Sequence, residues 1–194
     1  MRGDLLILLS DGIVILCIAR CLLQWAGLDA NHPLARFCIQ ATDWLVKPIR
    51  KLVPPQGKWD VACILAGLLF YYAMFILIRL TASSEGFGGR VIAVNFIFAV
   101  LALMKAAAYV LFIGLFVRMV LSIKKPYSPV SVSLQRIFES VLRPFVFLRV
   151  GRYDFSGSVL ALALWFWLGY VLPQLFSNVE SVAASVMFQI HGRA

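Results

Sequence analysis

The chain has 194 residues, of which 62% are hydrophobic and only 14% charged, with a mean hydropathy of +0.90. An ordinary soluble domain carries roughly 45–50% apolar residues, so this composition excludes a soluble enzyme and implies an integral membrane protein. The net charge of +9 would suit a nucleic-acid partner if the basic residues formed one patch, but they fall in two loops, and no nucleic acid is expected.

The first apolar run, about 5–26, is interrupted by Asp11 and Arg20. It reads as a span of the roughly 20 residues a bilayer requires. A cleaved signal is not expected, because Asp4 and Asp11 flank and interrupt the run and no small-x-small site follows. Pro33 then opens a stretch, about 33–47, with Leu34, Phe37, Cys38, Ala41 and Leu45 at helical spacing against Arg36, Gln40, Asp43 and Lys47. A short helix with a basic face lies in the headgroup plane. Pro33 suits the first helical turn, and Pro48 is expected to end the helix. The turn-rich approach Arg50-Lys51-Leu52-Val53-Pro54-Pro55 leads to Asp60, placed to cap the second span, about 61–80.

A Gly-rich linker, 86–90, follows. The third apolar run, about 93–123, holds Lys105 and Arg118 and is overlong; it either tilts and projects or bends near Asn95. Pro129 opens a second helix of the interfacial kind, about 129–143, with Val130, Leu134, Ile137, Phe138 and Val141 against Gln135, Arg136, Glu139 and Arg143, ended by Pro144. Asp154 precedes a fourth, uncharged span, about 155–176, and the tail 178–194 is expected to lie at the interface.

The chain therefore states one pattern twice. Arg20 and Arg118, Pro33 and Pro129, Asp43 and Glu139, Lys47-Pro48 and Arg143-Pro144, and Asp60 and Asp154 recur at offsets between 94 and 98 residues. The expected fold is an all-α membrane protein of four transmembrane helices in two tandem helix–interfacial helix–helix repeats, residues 1–85 and 91–177. Two spans per repeat give both copies the same orientation. The loops 27–59 and 124–153 hold eleven Lys and Arg, and the other side holds four: Arg2, Arg79, Arg90 and Arg193. The positive-inside rule then puts the long loops in the cytoplasm and both termini outside it.

Charges within spans are functional candidates by default. Lys105 is the deepest, and repeat alignment sets it one helical turn from Asp11. The pair could serve ion or proton movement, act as a structural ion pair, or leave Lys105 snorkelling to the surface. Arg20 and Arg118, like Arg36, Lys47, Arg50, Lys51, Arg136 and Arg143, are assigned to lipid headgroups or the interface. Pro33, Pro48, Pro54, Asp60, Pro129, Pro144 and Asp154 are assigned structural roles in the repeat. Cys17, Cys21, Cys38 and Cys63 match no zinc or disulfide spacing, and His32 and His191 stand alone. No catalytic residue, metal or cofactor is expected.

The stretch Arg20-Cys21-Leu22-Leu23-Gln24-Trp25, then Asn31-His32-Pro33-Leu34, then Lys47-Pro48-Ile49-Arg50-Lys51-Leu52-Val53-Pro54-Pro55 through Asp60 resembles the YggT family, also called YlmG-like. These are small bacterial inner-membrane proteins with plastid relatives. The resemblance covers nearly the whole chain. In the second copy Arg118, Ser128-Pro129, Arg143-Pro144 and Asp154-Phe155-Ser156 survive, while the basic Pro-rich element does not. The resemblance implies links to osmotic-stress tolerance and ion balance, to cell division or nucleoid organisation, and in plastids to cofactor assembly. The sequence holds no GxSxG, HExxH, GxxxxGK(S/T) or GxGxxG motif, and no enzymatic activity is expected. Two classes of function follow. One is a membrane organiser or assembly partner that holds anionic lipids, or a membrane or cytoplasmic protein. The other is an ion channel or transport-related protein for osmotic or potassium homeostasis.

Overall fold

The computed structural model describes residues 2–53, 60–82, 89–124, 129–142, 149–150, 153–154 and 156–191. Helix α1 (Arg2–Trp25) is followed by α2 (Pro33–Leu52) and α3 (Val61–Ala82). Helix α4 (Gly89–Lys124) and α5 (Pro129–Leu142) come next. A two-residue antiparallel ladder, β1 (Arg149–Val150) on β2 (Tyr153–Asp154), precedes α6 (Ser156–Phe166) and α7 (Leu172–His191). Apart from that ladder the described elements are all helices, α1 and α2 being joined by a turn over 26–32. Four helical stretches are long and apolar enough to cross a membrane, namely Leu5–Trp25, Val61–Leu80, Ile92–Leu121 and Gly157–Val182, which makes this a multi-pass membrane protein by length and composition.

Helix α1 packs on α2, α3, α4 and α5, and α4 packs on α1, α3, α5, α6 and α7. The α1 contacts use small residues. Cys17 and Cys21 meet Ala62, Cys63 and Ala66 of α3, while Val14 and Ile18 meet Ala99, Ala102 and Ala106 of α4. In lipid, where tails are as apolar as leucine, helices associate by close van der Waals packing, and small side chains permit the approach. Gly67 marks the tightest point: a Cβ there would stand 2.9 Å from Val14 Cγ1 and 3.2 Å from Leu103 Cδ1. Leu22, Trp25 and Ala26 at the far end of α1 join Leu134, Ile137 and Phe138 of α5.

Several boundaries differ from the sequence expectation. Helix α2 runs through Pro48 to Leu52, and the Val53 N–H closes it on the Ile49 carbonyl. An internal proline costs about 3 kcal/mol; here Val46 and Ile49, flanking it, are buried against Cys17, Cys21 and Ala62, and that packing holds the helix across the break. Helix α4 is one uninterrupted helix of 36 residues, about 54 Å long, and is not broken at Asn95. Gly89 and Arg90, expected in a linker, are its first residues. The tail expected from 178 onward is no separate element, because α7 continues the fourth span to His191. Between α6 and α7 lies a π-helical turn, Trp167–Val171, where the Leu172 N–H bonds the Trp167 carbonyl. Pro173 follows at once. Lacking an N–H and crowding the carbonyl four residues back, it is accommodated by a widened turn. Pro54, Arg143 and Pro144 lie outside the described residues.

Candidate functional site

Two groups of charged side chains sit inside the bundle. The first is at the end where α1 and α4 begin and α3 ends. Asp11 of α1 accepts from Lys105 Nζ of α4 at 2.6 Å on Oδ2 and from the Tyr71 hydroxyl of α3 at 2.7 Å on Oδ1. The Lys105 and Asp11 side chains are 21% and 18% exposed, and Tyr71 is 2% exposed. Three helices thus converge on one carboxylate, each of whose oxygens has its own donor. Lys105 stands 13 residues past Ile92 and Asp11 only 6 past Leu5, so α4 overshoots α1 by about 10 Å. That overshoot is why the third run is overlong.

This pair forms the floor of a cavity of about 330 Å³ between α1, α3, α4 and α7. Arg79, Asn95 and Glu180 also line it, with Phe75, Phe98 and Phe176 as an aromatic wall. Phe98 stacks on Phe176 at 5.7 Å between ring centroids, and Phe75 lies 6.2 Å from Phe98. Asn95 is 2% exposed, and its Nδ2 has no hydrogen-bond partner among the described residues. Beyond the floor Val14, Ile18, Cys17, Cys21, Ala62 and Ala66 fill the bundle.

The second group ties α2 to the bundle. Arg20, assigned from sequence to lipid headgroups, is instead 3% exposed. Its Nη1 donates to Thr42 Oγ1 and Asp43 Oδ1, both at 3.0 Å. Thr42 directs its own proton to the Cys38 carbonyl at 2.7 Å, leaving a lone pair for the guanidinium. A charge this deep cannot stay unpaired, and the nearest relief is α2 rather than a headgroup. Asp43 also accepts from Lys47 at 2.8 Å, one turn on. The hydrogen bond from Lys47 and the one from Arg20 hold the Asp43 carboxyl below its ordinary value, against the opposing effect of burial.

Arg50, likewise assigned to headgroups, forms an ion pair with Asp60 at the start of α3. Its Nη2 also reaches Gln24 Oε1 at 3.5 Å. The expectation that Asp60 accepts backbone N–H bonds as a helix cap is replaced by side-chain bonding. Asp60 Oδ2 takes Arg50 and the Cys63 thiol, at 3.2 Å for the latter, while Oδ1 has no partner among the described residues. Burial alone would raise the Asp60 carboxyl, but the bonds from Arg50 and Cys63 outweigh it and the net shift is downward. The same pairing raises Arg50.

Helix α2 consequently has three faces rather than two. Ala35, Cys38, Thr42, Val46 and Ile49 are buried in the protein. Leu34, Phe37 and Trp44 are apolar and exposed. Arg36, Lys47 and Lys51 are exposed and basic. The His32 ring caps the start, its Nδ1 accepting from the Leu34 N–H at 3.3 Å, with Pro33 in the first turn.

In the second half Pro129 likewise opens α5, yet the Arg20–Asp43 bond is not copied. Arg118, Arg20's counterpart, places its guanidinium carbon 5.9 Å from the Phe138 ring centroid, a cation–π arrangement. Arg136 is exposed, with Nη1 3.3 Å from the Ala26 carbonyl, so it reaches the end of α1. Asp154 is placed in β2 opposite Arg149. Sequence reasoning missed Tyr71, Thr42, Arg79, Asn95 as a lining residue, and Glu180. None carries a spacing that distinguishes it from its apolar neighbours.

A family model described as CCB3/YggT matches residues 3–81, which spans α1 to α3 and holds the whole Arg20–Asp43 and Arg50–Asp60 arrangement. The chain is 30% identical over 162 residues to the "Uncharacterized protein in proC 3′region" of Vibrio alginolyticus, covering 81% of this chain and 86% of that protein. It is 27% identical over 152 residues to the "Uncharacterized protein YggT" of Escherichia coli K12, covering 76% and 77%. An uncharacterized protein of Haemophilus influenzae is 29% identical over 161 residues, covering 81% and 84%. No solved structure matches. The chain belongs to the CCB3/YggT family.

Proposed function

We propose that this protein is a non-enzymatic organiser of the bacterial inner membrane, built from two tandem copies of one family unit. In this reading the basic helix α2 and its counterpart α5 lie at the cytoplasmic interface and both termini face the other side. They grip anionic lipids and present a surface to a membrane or cytoplasmic partner, in the setting of envelope, osmotic-stress and cell-division physiology. One observation carries the reading. Helix α2 is fixed to α1 by Arg20–Asp43 and to α3 by Arg50–Asp60, while Phe37 and Trp44 stay exposed beside Arg36, Lys47 and Lys51. An apolar strip next to a basic strip on a fixed helix is the shape that sits at a headgroup layer.

The test is lipid selectivity. Arg36→Gln, Lys47→Gln and Lys51→Gln together should weaken phosphatidylglycerol binding relative to phosphatidylethanolamine by about 1 kcal/mol per charge, read by mass spectrometry of lipids retained on the purified protein. Unchanged selectivity would reduce these charges to topology signals.

The second reading, ion passage, draws on Asp11 and Lys105 facing a cavity. The side chains beyond that pair are closely packed among the described residues, which favours binding over conduction. Potassium flux from loaded liposomes, with and without an osmotic step, separates the two.

A further inference from the structure

The cavity above Asp11 and Lys105 is equipped beyond what a structural ion pair needs. The floor is satisfied within itself: Asp11 takes Lys105 on one oxygen and Tyr71 on the other. Three polar side chains on the walls are not. Asn95, 98% removed from solvent, holds an Nδ2 with no partner. Arg79 and Glu180 line the same space and make no ion pair among the described residues. A buried amide donor left open is costly unless something accepts from it.

We propose that this cavity binds a small zwitterion, with its carboxylate on Asn95 and Arg79 and its ammonium on Glu180. The carbon chain between the two charges rests on Phe75, Phe98 and Phe176. The charge balance carries the ligand class. With Asp11 and Lys105 cancelling, the walls offer one cation and one anion, so a purely anionic or purely cationic ligand leaves one of them unpaired. A ligand with both charges satisfies both. The volume of about 330 Å³ sits at the small end of ligand pockets, which run from roughly 300 to 1,000 Å³, and suits a solute of a few carbons. Polar donors against an apolar wall are also the usual composition of such sites. The site is independent of the lipid surface of α2, being at the opposite end of α1 and α3.

The experiment uses three probes of equal length on the full-length protein in lipid nanodiscs: 4-aminobutanoate, butanoate and butylammonium. Isothermal titration should show saturable binding of 4-aminobutanoate, with each single-charge analogue at least tenfold weaker. Asn95→Leu and Glu180→Gln should each weaken 4-aminobutanoate at least tenfold. Because Asn95 is buried, its variant also perturbs packing, and Glu180→Gln at the exposed rim decides the matter by itself. Its loss of ammonium recognition should make 4-aminobutanoate bind no better than butanoate. Equal binding of all three probes, saturable binding of none, or a Glu180→Gln protein indistinguishable from wild type would each overturn the proposal.

Discussion

Lys105 Nζ lies 2.6 Å from Asp11 Oδ2, joining two helices across 94 positions of sequence. The bond sets the relative height of α1 and α4, because neither charge has another opposite charge at its level within the floor of the cavity. An unpaired charge at the centre of a membrane span costs about 2.5–3.5 kcal/mol on insertion scales. Asp11→Asn should therefore destabilise the protein by about 2 kcal/mol, the pair being partly exposed. Asp11→Lys combined with Lys105→Asp should recover part of that loss. Tyr71→Phe removes one neutral donor and should cost about 1 kcal/mol. Thermal unfolding in detergent measures all three, and a charge-swapped protein no more stable than either single reversal would refute the pairing.

Asp43 and Asp60 govern the response of α2 to acid. Both carboxyls are held below their ordinary value of 3.8 in the folded chain. A group depressed on folding contributes stability that is complete above the unfolded value and lost as pH falls through the folded one. The melting temperature should thus be insensitive to these two groups near neutrality and drop from about pH 4 downward. A protein carrying Asp43→Asn and Asp60→Asn should be less stable at pH 7 and show a shallower fall below pH 4. Parallel profiles for the two proteins would contradict the assignment.

Gly67 is a packing residue. Its missing Cβ would approach Val14 Cγ1 to 2.9 Å, and valine in a helix has little rotamer freedom with which to withdraw. Gly67→Ala should cost about 1–3 kcal/mol through overpacking. Pairing it with Val14→Ala should return most of the loss. Gly169, whose Cβ would meet nothing within 4 Å, is the control, and Gly169→Ala should be close to neutral in the same unfolding assay.

The proposed orientation is testable with single cysteines in a background where the four native ones are replaced by serine or alanine. Lys51 on α2 is exposed, and Ser84 falls in sequence between the second and third spans. An impermeant maleimide applied to spheroplasts should label Ser84→Cys and spare Lys51→Cys until the membrane is opened. The reverse pattern would invert the assignment of the basic loops.

The apolar lengths in the sequence determined the four spans, because a bilayer demands about 20 apolar residues per crossing. Helical spacing after Pro33 and Pro129 placed α2 and α5 to within a few residues, and the charges inside spans singled out Asp11 and Lys105. Only the tertiary structure decided where Arg20 and Arg50 go, since a guanidinium near a helix end can reach a headgroup or a neighbouring carboxylate equally well by spacing alone. The faces of α2 show the same limit: Phe37, exposed, and Cys38, buried, adjoin in one apolar stripe. Lipid and protein interior are both apolar, so periodicity separates polar from apolar faces but cannot tell a lipid-facing side chain from a core one. Tyr71, Asn95 and the cavity they line depend on that second distinction, and only packing supplies it.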